Sequence, residues 1–155
     1  MTSSTTTSFD LRAMAALLAQ GRQLHALSLL LLAAALLLAA LPAVAVATAT
    51  SGALPLALSL VAGLLQCYYA LRVDFDARLF QAASEDEDSA RAAQRLDASL
   101  LALGLLKPGR EGRDWPARWR GARGLMMRQA IALSVQTAAV VWAYGRVWAY
   151  GRVWA

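Results

Sequence analysis

Charged residues are absent from one long stretch of the chain, and this pattern gives the first prediction. Between Arg22 and Arg72 there are 49 residues without Lys, Arg, Asp or Glu. A helix needs about 20 apolar residues to cross a membrane, so the stretch holds two spans and a short turn. The spans are predicted over residues 26–47 and 54–73, with the turn at TATSGALP. Together they make a predicted helical hairpin over residues 26–73.

The first span has one competing interpretation. Its leucine-rich core is followed by LPAVAVA, whose small residues also suit a cleaved signal peptide. Residues 1–25 form a longer leader than such a peptide usually has before its core. We therefore expect the segment to be retained as a span.

A third apolar run follows Arg128 and is shorter and more polar. The letters QAIALSVQTAAVVWAY include two glutamines, a serine and a threonine, which a lipid-facing helix disfavours. Adding the preceding GLMMR, with Arg128 reaching the interface by its long side chain, gives a predicted third span over residues 124–145. Ser134, Gln136 and Thr137 are predicted either to bond across a helix interface or to bond carbonyls of their own helix.

Small residues in the spans predict where helices pack, because association in lipid depends on close approach of backbones. Ser59 and Gly63 stand four positions apart in the second span. Gln136 offers an amide for the same kind of contact from the third span. These three residues are the predicted helix-packing positions.

The segment between the second and third spans, residues 74–123, is predicted to be helical and cytoplasmic. Ser84 and Glu87 match the capping-box pattern that starts a helix, and Lys-Pro-Gly at 107–109 is predicted to end it. Between them, apolar residues recur along one stripe: Ala93, Leu96, Leu100, Leu103 and Leu106.

This leucine stripe needs an apolar partner. Leu96, Leu100 and Leu103 are predicted to contact either the chain's own helix around Phe75 and Phe80 or another subunit. The N-terminal region, residues 1–25, has the same need, since a Ser/Thr-rich tail precedes the amphipathic stretch SFDLRAMAALLAQ. Both pieces are predicted cytoplasmic amphipathic helices.

The stretch DWPARWRGARGLMMR has the composition of an interfacial helix. Asp114 is placed to cap it, and Pro116 suits a first helical turn. Tryptophan at one face and arginine at its edges are typical of contact with anionic lipid headgroups. The predicted membrane-interface residues are Trp115, Trp119, Arg118, Arg120 and Arg123.

Composition and charge distribution extend the membrane assignment. Apolar residues make up 59% of the 155 positions and charged residues 16%, a balance few soluble domains show. The stretch from Arg72 to Arg128 holds 11 of the 15 basic residues. Because positive charge near spans stays inside, the N-terminus and this stretch are predicted to be cytoplasmic. Nine acidic residues in the same stretch argue against a nucleic-acid surface.

Candidate chemistry is sparse. The single histidine, His25, and the single cysteine, Cys67, offer no metal-ligating or nucleophilic set. Asp74 and Asp76 are two apart, so they point away from each other on a helix and are predicted to pair with Arg78 and Arg72. We expect no catalytic, cofactor or metal site.

The chain closes with VWAYGRVWAYGRVWA, a six-residue unit repeated without drift. As a strand it alternates large and small residues, but it has no neighbour to pair with. As a helix, six residues advance by about 600°, so no continuous stripe forms. Residues 146–155 are predicted to be a duplicated extension of the third helix.

These patterns favour a multi-pass protein of the cell inner membrane. Arginine outnumbers lysine 14 to 1, which suits a GC-rich bacterial coding sequence. We expect a non-catalytic accessory subunit of a larger inner-membrane assembly, in contact with anionic lipids and with other membrane subunits or copies of itself. The alternative is a self-associating pore or holin-like protein, although no span shows the polar stripe of an open lumen.

Overall fold

The computed structural model describes residues 7–40, 53–86, 88–107, 109 and 111–153. Within these ranges every regular element is an α-helix. The helices in chain order are α1 (Ser8–Ala19), α2 (Gly21–Ala40), α3 (Ala53–Ala83), α4 (Ser89–Ala102) and α5 (Trp115–Val153). The prediction of an all-α chain is confirmed.

Three helical stretches are long and apolar enough to cross a membrane. They are Ser8–Ala40, Ala53–Ala83 and Trp115–Arg146, and the last has the lowest mean hydropathy of the three. The predicted turn at TATSGALP begins within residues 41–52, which lie outside the described residues. The chain therefore fits a multi-pass membrane protein with three candidate spans.

The chain divides into two compact units. Unit 1 consists of Met1–Gly21 and Leu71–Met126, and unit 2 of Arg22–Ala70 and Met127–Ala155. The predicted domain boundaries fall after residues 25, 73, 123 and 145. The boundaries predicted at 73 and 123 lie inside α3 and α5, so neither coincides with the end of a helix.

Unit 2 reverses the pattern of a water-soluble helical bundle. Large apolar side chains such as Leu30, Leu37 and Leu64 are exposed by 60% or more. The buried residues are mostly small or polar: Ser28, Ala35, Ser59, Ala62, Gln66, Ala70, Gln129, Ala132, Gln136, Ala139 and Ala143. Soluble proteins bury leucine and expose glutamine, whereas helices in lipid pack through small and polar residues. This inversion supports the membrane assignment.

Unit 1 has an apolar core shared by four helices. Leu11 and Leu18 of α1 are fully buried, and they belong to one cluster with Val73 of α3, Ala92 of α4 and Trp115 of α5. α1 begins at a capping box, in which Thr7 Oγ1 accepts from the Asp10 amide and Asp10 Oδ2 accepts from the Thr7 amide. The N-terminal amphipathic helix thus finds its apolar partner within the chain.

The start of α4 differs from the prediction. Its N-cap is Asp88, whose Oδ1 accepts from the amides of Ala90 at 2.9 Å and Arg91 at 3.4 Å. Ser84 instead terminates α3, since its amide bonds the Phe80 carbonyl and its hydroxyl donates to the Gln81 carbonyl. The capping box predicted from Ser84 is wrong, because α3 extends to Ala83 and the amide and hydroxyl of Ser84 bond carbonyls of α3.

The end of α4 also precedes the predicted stop at 107–109. Gly104 has a φ of +68°, and its amide bonds the Leu101 carbonyl while the Leu105 amide bonds the Leu100 carbonyl. This is the Schellman pattern, in which a left-handed residue, usually glycine, closes the helix. Gly104, and not the later Lys-Pro-Gly, ends the helix.

α5 is one continuous helix from the predicted interfacial segment through the repeat. Asp114 Oδ1 accepts from the Ala117 amide at 3.0 Å, as predicted for the cap. The helix continues to Val153, so the repeat is helical up to that residue and the strand interpretation is wrong. An isolated strand would leave its backbone unpaired, whereas a helix satisfies each amide within the segment.

Candidate packing and interface sites

A reciprocal hydrogen bond joins α2 and α5 inside unit 2. Ser28 Oγ donates to Gln136 Oε1 at 2.6 Å, and Gln136 Nε2 donates to the Ser28 carbonyl at 3.0 Å. Both residues are almost completely buried. Because both amide atoms of Gln136 are used, the contact fixes the side chain orientation and holds the two helices at one register.

Gly63 of α3 lies against the same glutamine. A Cβ at this position would stand 3.0 Å from Gln136 Nε2 and 3.3 Å from Leu32 Cδ1. Glycine therefore lets α3 approach the Ser28–Gln136 contact without displacing either side chain. The structure brings two of the predicted packing positions, Gly63 and Gln136, directly together.

Ser59, the third predicted packing position, lies on the buried face of α3. It is fully buried, and its hydroxyl has no hydrogen-bond partner among the described residues. Ala62, Gly63 and Gln66 continue the same face at helical spacing. Ser59 thus contributes small size to the packing of α3 without a bond of its own.

Gln66 was not anticipated by the sequence analysis. Its side chain is fully buried, and neither its Nε2 nor its Oε1 has a partner among the described residues. An unbonded amide in a membrane interior is costly. The available signal was its spacing, seven residues after Ser59 on the same stripe.

Ser134 and Thr137 bond carbonyls of their own helix, which was one of their two predicted roles. Ser134 Oγ donates to the Ala130 carbonyl at 3.0 Å, and Thr137 Oγ1 donates to the Leu133 carbonyl at 2.9 Å. Both residues are exposed and bonded within their own helix. Of the three polar residues considered together, Gln136 makes the contact between helices.

The predicted interfacial tryptophans lie in the interior of unit 1. Trp115 is only 6% exposed, its Nε1 donates to the Ser89 carbonyl at 3.0 Å, and its ring centroid is 5.7 Å from that of Phe80. Trp119 is half-buried and meets Phe80 edge-on at 6.2 Å. The tryptophan face exists as predicted from the spacing, but it packs on protein, because Phe80 and α4 offer a better apolar partner than headgroups.

Arg118 is likewise occupied within unit 1. Its Nη2 donates to Asp97 Oδ1 at 2.6 Å, and its Nε donates to the Arg113 carbonyl at 3.1 Å. The guanidinium carbon also lies 5.7 Å from the centre of the Trp115 ring. The side chain predicted to contact lipid phosphates is thus bound to a carboxylate, and no sequence pattern predicted this contact with Asp97.

Two opposing effects set the pKa of Asp97. Burial raises the pKa of the carboxyl, but hydrogen bonds from Arg118 and the Gly112 amide, with the charges of Arg118 and Arg113, lower it by more. The net pKa is below the ordinary value of 3.8. The ionised pair therefore links α4, the following loop and α5 at neutral pH.

Arg120 and Arg123 remain free to act at an interface. Both are exposed on α5, on which Trp115 and Ala122 are buried. Their exposure permits contact with phosphate groups, which stays a prediction for these two arginines.

The predicted leucine stripe of α4 divides between inner and outer positions. Leu96 packs against the core cluster of unit 1, and Leu100 lines a groove of about 450 Å³ together with Phe75 and Leu79. Leu103 is 71% exposed. The stripe's first part therefore folds back on α3, which was one of the two predicted partners, and its end is left open.

One of the two ion pairs predicted on α3, Asp74 with Arg78, is present in the structure. Arg78 Nε lies 2.9 Å from Asp74 Oδ2, with the arginine largely exposed. Arg72 and Asp76 both line the 450 Å³ groove. Within the part of the chain that the structure describes, no three His, Cys, Asp or Glu residues form a group able to hold a metal ion.

Comparisons with known proteins add no family to this description. No family model matches the chain, and neither curated proteins nor solved structures give a significant match.

Proposed function

We propose that the chain is a non-catalytic accessory subunit of a larger bacterial inner-membrane assembly. The observation that carries this proposal is the open end of α4. Leu103 and Leu105 are 71% and 63% exposed, and Leu101 is 41% exposed beside them. They belong to unit 1, whose charged residues place it outside the hydrocarbon layer in the predicted topology.

Clustered exposed leucines outside the hydrocarbon mark a surface for contact. Removing apolar surface from water contributes roughly 25 cal/mol per Å², so covering these side chains stabilises a complex. The core of unit 1 already holds Leu96 and Trp115, and its exposed leucines lie beyond it. A protein partner on the cytoplasmic side is the occupant this proposal requires.

The cytoplasmic location in this proposal follows from the distribution of basic residues along the chain. The N-terminus and residues 74–123 lie in the cytoplasm, since basic residues concentrate there. Arg120 and Arg123 contact anionic headgroups of the inner leaflet, at roughly 1 kcal/mol for each basic residue near the surface. The proposal includes no role in binding nucleic acid.

Gentle solubilisation of the full chain and measurement of the particle mass test the proposal. We expect a particle heavier than the chain alone, containing at least one other membrane protein. Leu103→Glu should release that partner, while Ala98→Glu, which adds the same charge at an exposed position elsewhere on α4, should retain it. A lone monomer with no co-purifying protein would sink the proposal.

The alternative, a self-associating pore, has one supporting observation. Gln66 is buried in unit 2 with both amide atoms unbonded among the described residues, and water in a lumen would satisfy them. The Ser28–Gln136 contact favours a closed interior instead. Ion flux through liposomes that contain only this chain would support the pore, and the absence of flux would contradict it.

A further inference from the structure

Unit 2 also carries a groove, separate from the 450 Å³ groove of unit 1. It has a volume of about 250 Å³ and lies between α3 and α5. Its lining residues are Leu58, Val61, Ala62, Leu65, Tyr69, Arg128, Ile131, Ala132 and Val135. Seven of them are aliphatic, and the two polar ones are Tyr69 and Arg128.

Two alanines create the groove. Ala62 and Ala132 are 4% and 8% exposed, so they form its floor, and their short side chains leave the space above them unfilled. The rim residues are larger and open to the outside: Val61 is 55% exposed and Ile131 is 57% exposed. In a membrane-spanning unit, this outer surface faces lipid.

One lining residue of the groove, Arg128, has a positive charge for which the described residues offer no counterion. Arg128 is exposed and makes no ion pair or hydrogen bond through its side chain with any described residue. A cation inside a span is costly unless it is paired. Tyr69, the last lining residue along α3, adds a hydroxyl to the groove. This combination suits a phosphate, which accepts several hydrogen bonds from a guanidinium.

The apolar part of the groove has the length of one lipid leaflet. Leu58 to Tyr69 on α3 covers roughly 16 Å, and Arg128 to Val135 on α5 covers roughly 10 Å, at 1.5 Å for each residue. Half of a hydrocarbon core is about 15 Å. An acyl chain that starts at the level of Arg128 therefore runs along the groove within its own leaflet.

We propose that this groove binds one anionic phospholipid, with its phosphate at Arg128 and Tyr69 and an acyl chain over Ala62 and Ala132. A helix from a second copy would fit less well, since a helix is about 10 Å across and brings no anion to Arg128. The inference uses only the assignment of the chain to a membrane and is independent of the accessory role.

The test measures lipid retained by the purified full-length chain. The protein is extracted with a mild detergent from vesicles of equal parts phosphatidylglycerol and phosphatidylcholine, and bound lipids are counted by native mass spectrometry. We expect one phosphatidylglycerol for each chain. Arg128→Gln should lower its retention about tenfold, because a hydrogen bond to a charged group is lost. Tyr69→Phe should lower it less.

Arg91→Gln is the matched control, since it removes the same charge from an exposed position on α4. It should retain the lipid as the unsubstituted chain does. Equal retention of the two lipids by the unsubstituted chain would overturn the proposal, and this comparison stands even if Arg128→Gln fails to fold. Equal loss in Arg128→Gln and Arg91→Gln would also overturn it. A lipid-free dimer would assign the groove to a second copy.

Discussion

Gln136 occupies the position in unit 2 where three helices meet. Its amide bonds Ser28 of α2 through both polar atoms and lies against Gly63 of α3. In lipid, a contact between two leucines replaces equally apolar contacts with lipid tails and provides no hydrophobic driving force. Close packing and hydrogen bonds therefore hold the helices together. A polar residue at this point therefore does more for helix association than an apolar one of the same size.

Gln136→Met tests that statement, because methionine keeps the length and shape of the side chain. Ser28 would lose both a donor and an acceptor inside the unit. We expect the free energy of unfolding to fall by about 1 to 2 kcal/mol, the upper range for such bonds in membranes. Unfolding in mixed micelles of increasing dodecyl sulfate content measures it. Thr137→Val, at an exposed residue bonded to its own helix, should cost less, and an equal cost would contradict the account.

Gly63→Ala tests the close approach of α3. The added methyl group would stand 3.0 Å from Gln136 Nε2, so the amide must shift and strain its bond with Ser28. Overpacking of this kind destabilises by about 1 kcal/mol at its mild end. Gly145→Ala has no atom within 4 Å of the added group and should be neutral or stabilising in the same micelle assay. Stabilisation by both substitutions would show that the approach at Gly63 is not required.

Among the elements, α4 is held by a polar contact and an apolar contact at adjacent positions near its middle. Asp97 binds Arg118 and the Gly112 amide, while Leu96 packs on the core of unit 1. The Asp97–Arg118 pair is well shielded, with side-chain exposures of 9% and 13%. Loss of one partner from such a pair leaves a buried charge unbalanced.

Asp97→Asn should lower the free energy of unfolding by about 3 kcal/mol at neutral pH. The folded pKa of Asp97 is lowered, so its contribution is full above the ordinary value of 3.8 and is lost as the pH falls through the lower folded pKa. The difference between the two proteins should therefore shrink as the pH falls below 3.8. Denaturation followed by circular dichroism measures it.

Asp86→Asn serves as the control for this substitution. Asp86 pairs with Arg95, which is 67% exposed, and exposed pairs contribute about 1 kcal/mol or less. A difference between Asp97→Asn and the unsubstituted chain that does not change with pH would contradict the ionised pair.

Removal of the repeat at the end of α5 should have a smaller effect than removal of the indole of Trp115 at its start. Removal of residues 147–155 should leave membrane insertion and partner binding nearly intact, since Trp148 is 54% exposed. Trp115→Ala should destabilise unit 1 by about 3 to 5 kcal/mol, because the indole packs on Phe80 and bonds Ser89. Limited proteolysis compares them, with Trp142→Ala, at an exposed indole, as the control. Loss of assembly on truncation alone would make the repeat a binding element.

The sequence was sufficient to predict features that depend on local periodicity and charge. The run without charge between Arg22 and Arg72 predicted two apolar helices, and residue spacing placed Trp115 and Trp119 on one face. It was not sufficient to predict which surface that face meets. Asp97 and Arg118 are 21 residues apart on separate helices, and no spacing rule relates them. Ser84 matched the pattern of a helix start, but it lies at the end of α3 and bonds carbonyls of that helix.

At the level of the whole molecule, the exposed leucines and buried glutamines of unit 2 and the charge pattern of the chain both indicate a membrane protein. Water would disfavour Leu37 and Leu30 at 71% and 68% exposure, whereas lipid covers them without cost. The basic residues from Arg72 to Arg128 then predict the direction of insertion. A multi-pass protein with three spans must place its N-terminus and the segment carrying α4 on the same side.

Cysteine labelling of intact cells tests that arrangement most directly. In a background with Cys67→Ser, single cysteines replace Thr50, in the predicted outside turn, and Ser99, exposed on α4. We expect a membrane-impermeant maleimide to label Thr50→Cys from outside the cell, and Ser99→Cys only after the membrane is permeabilised. Labelling of Ser99→Cys but not Thr50→Cys in intact cells would contradict the topology on which the proposed function depends.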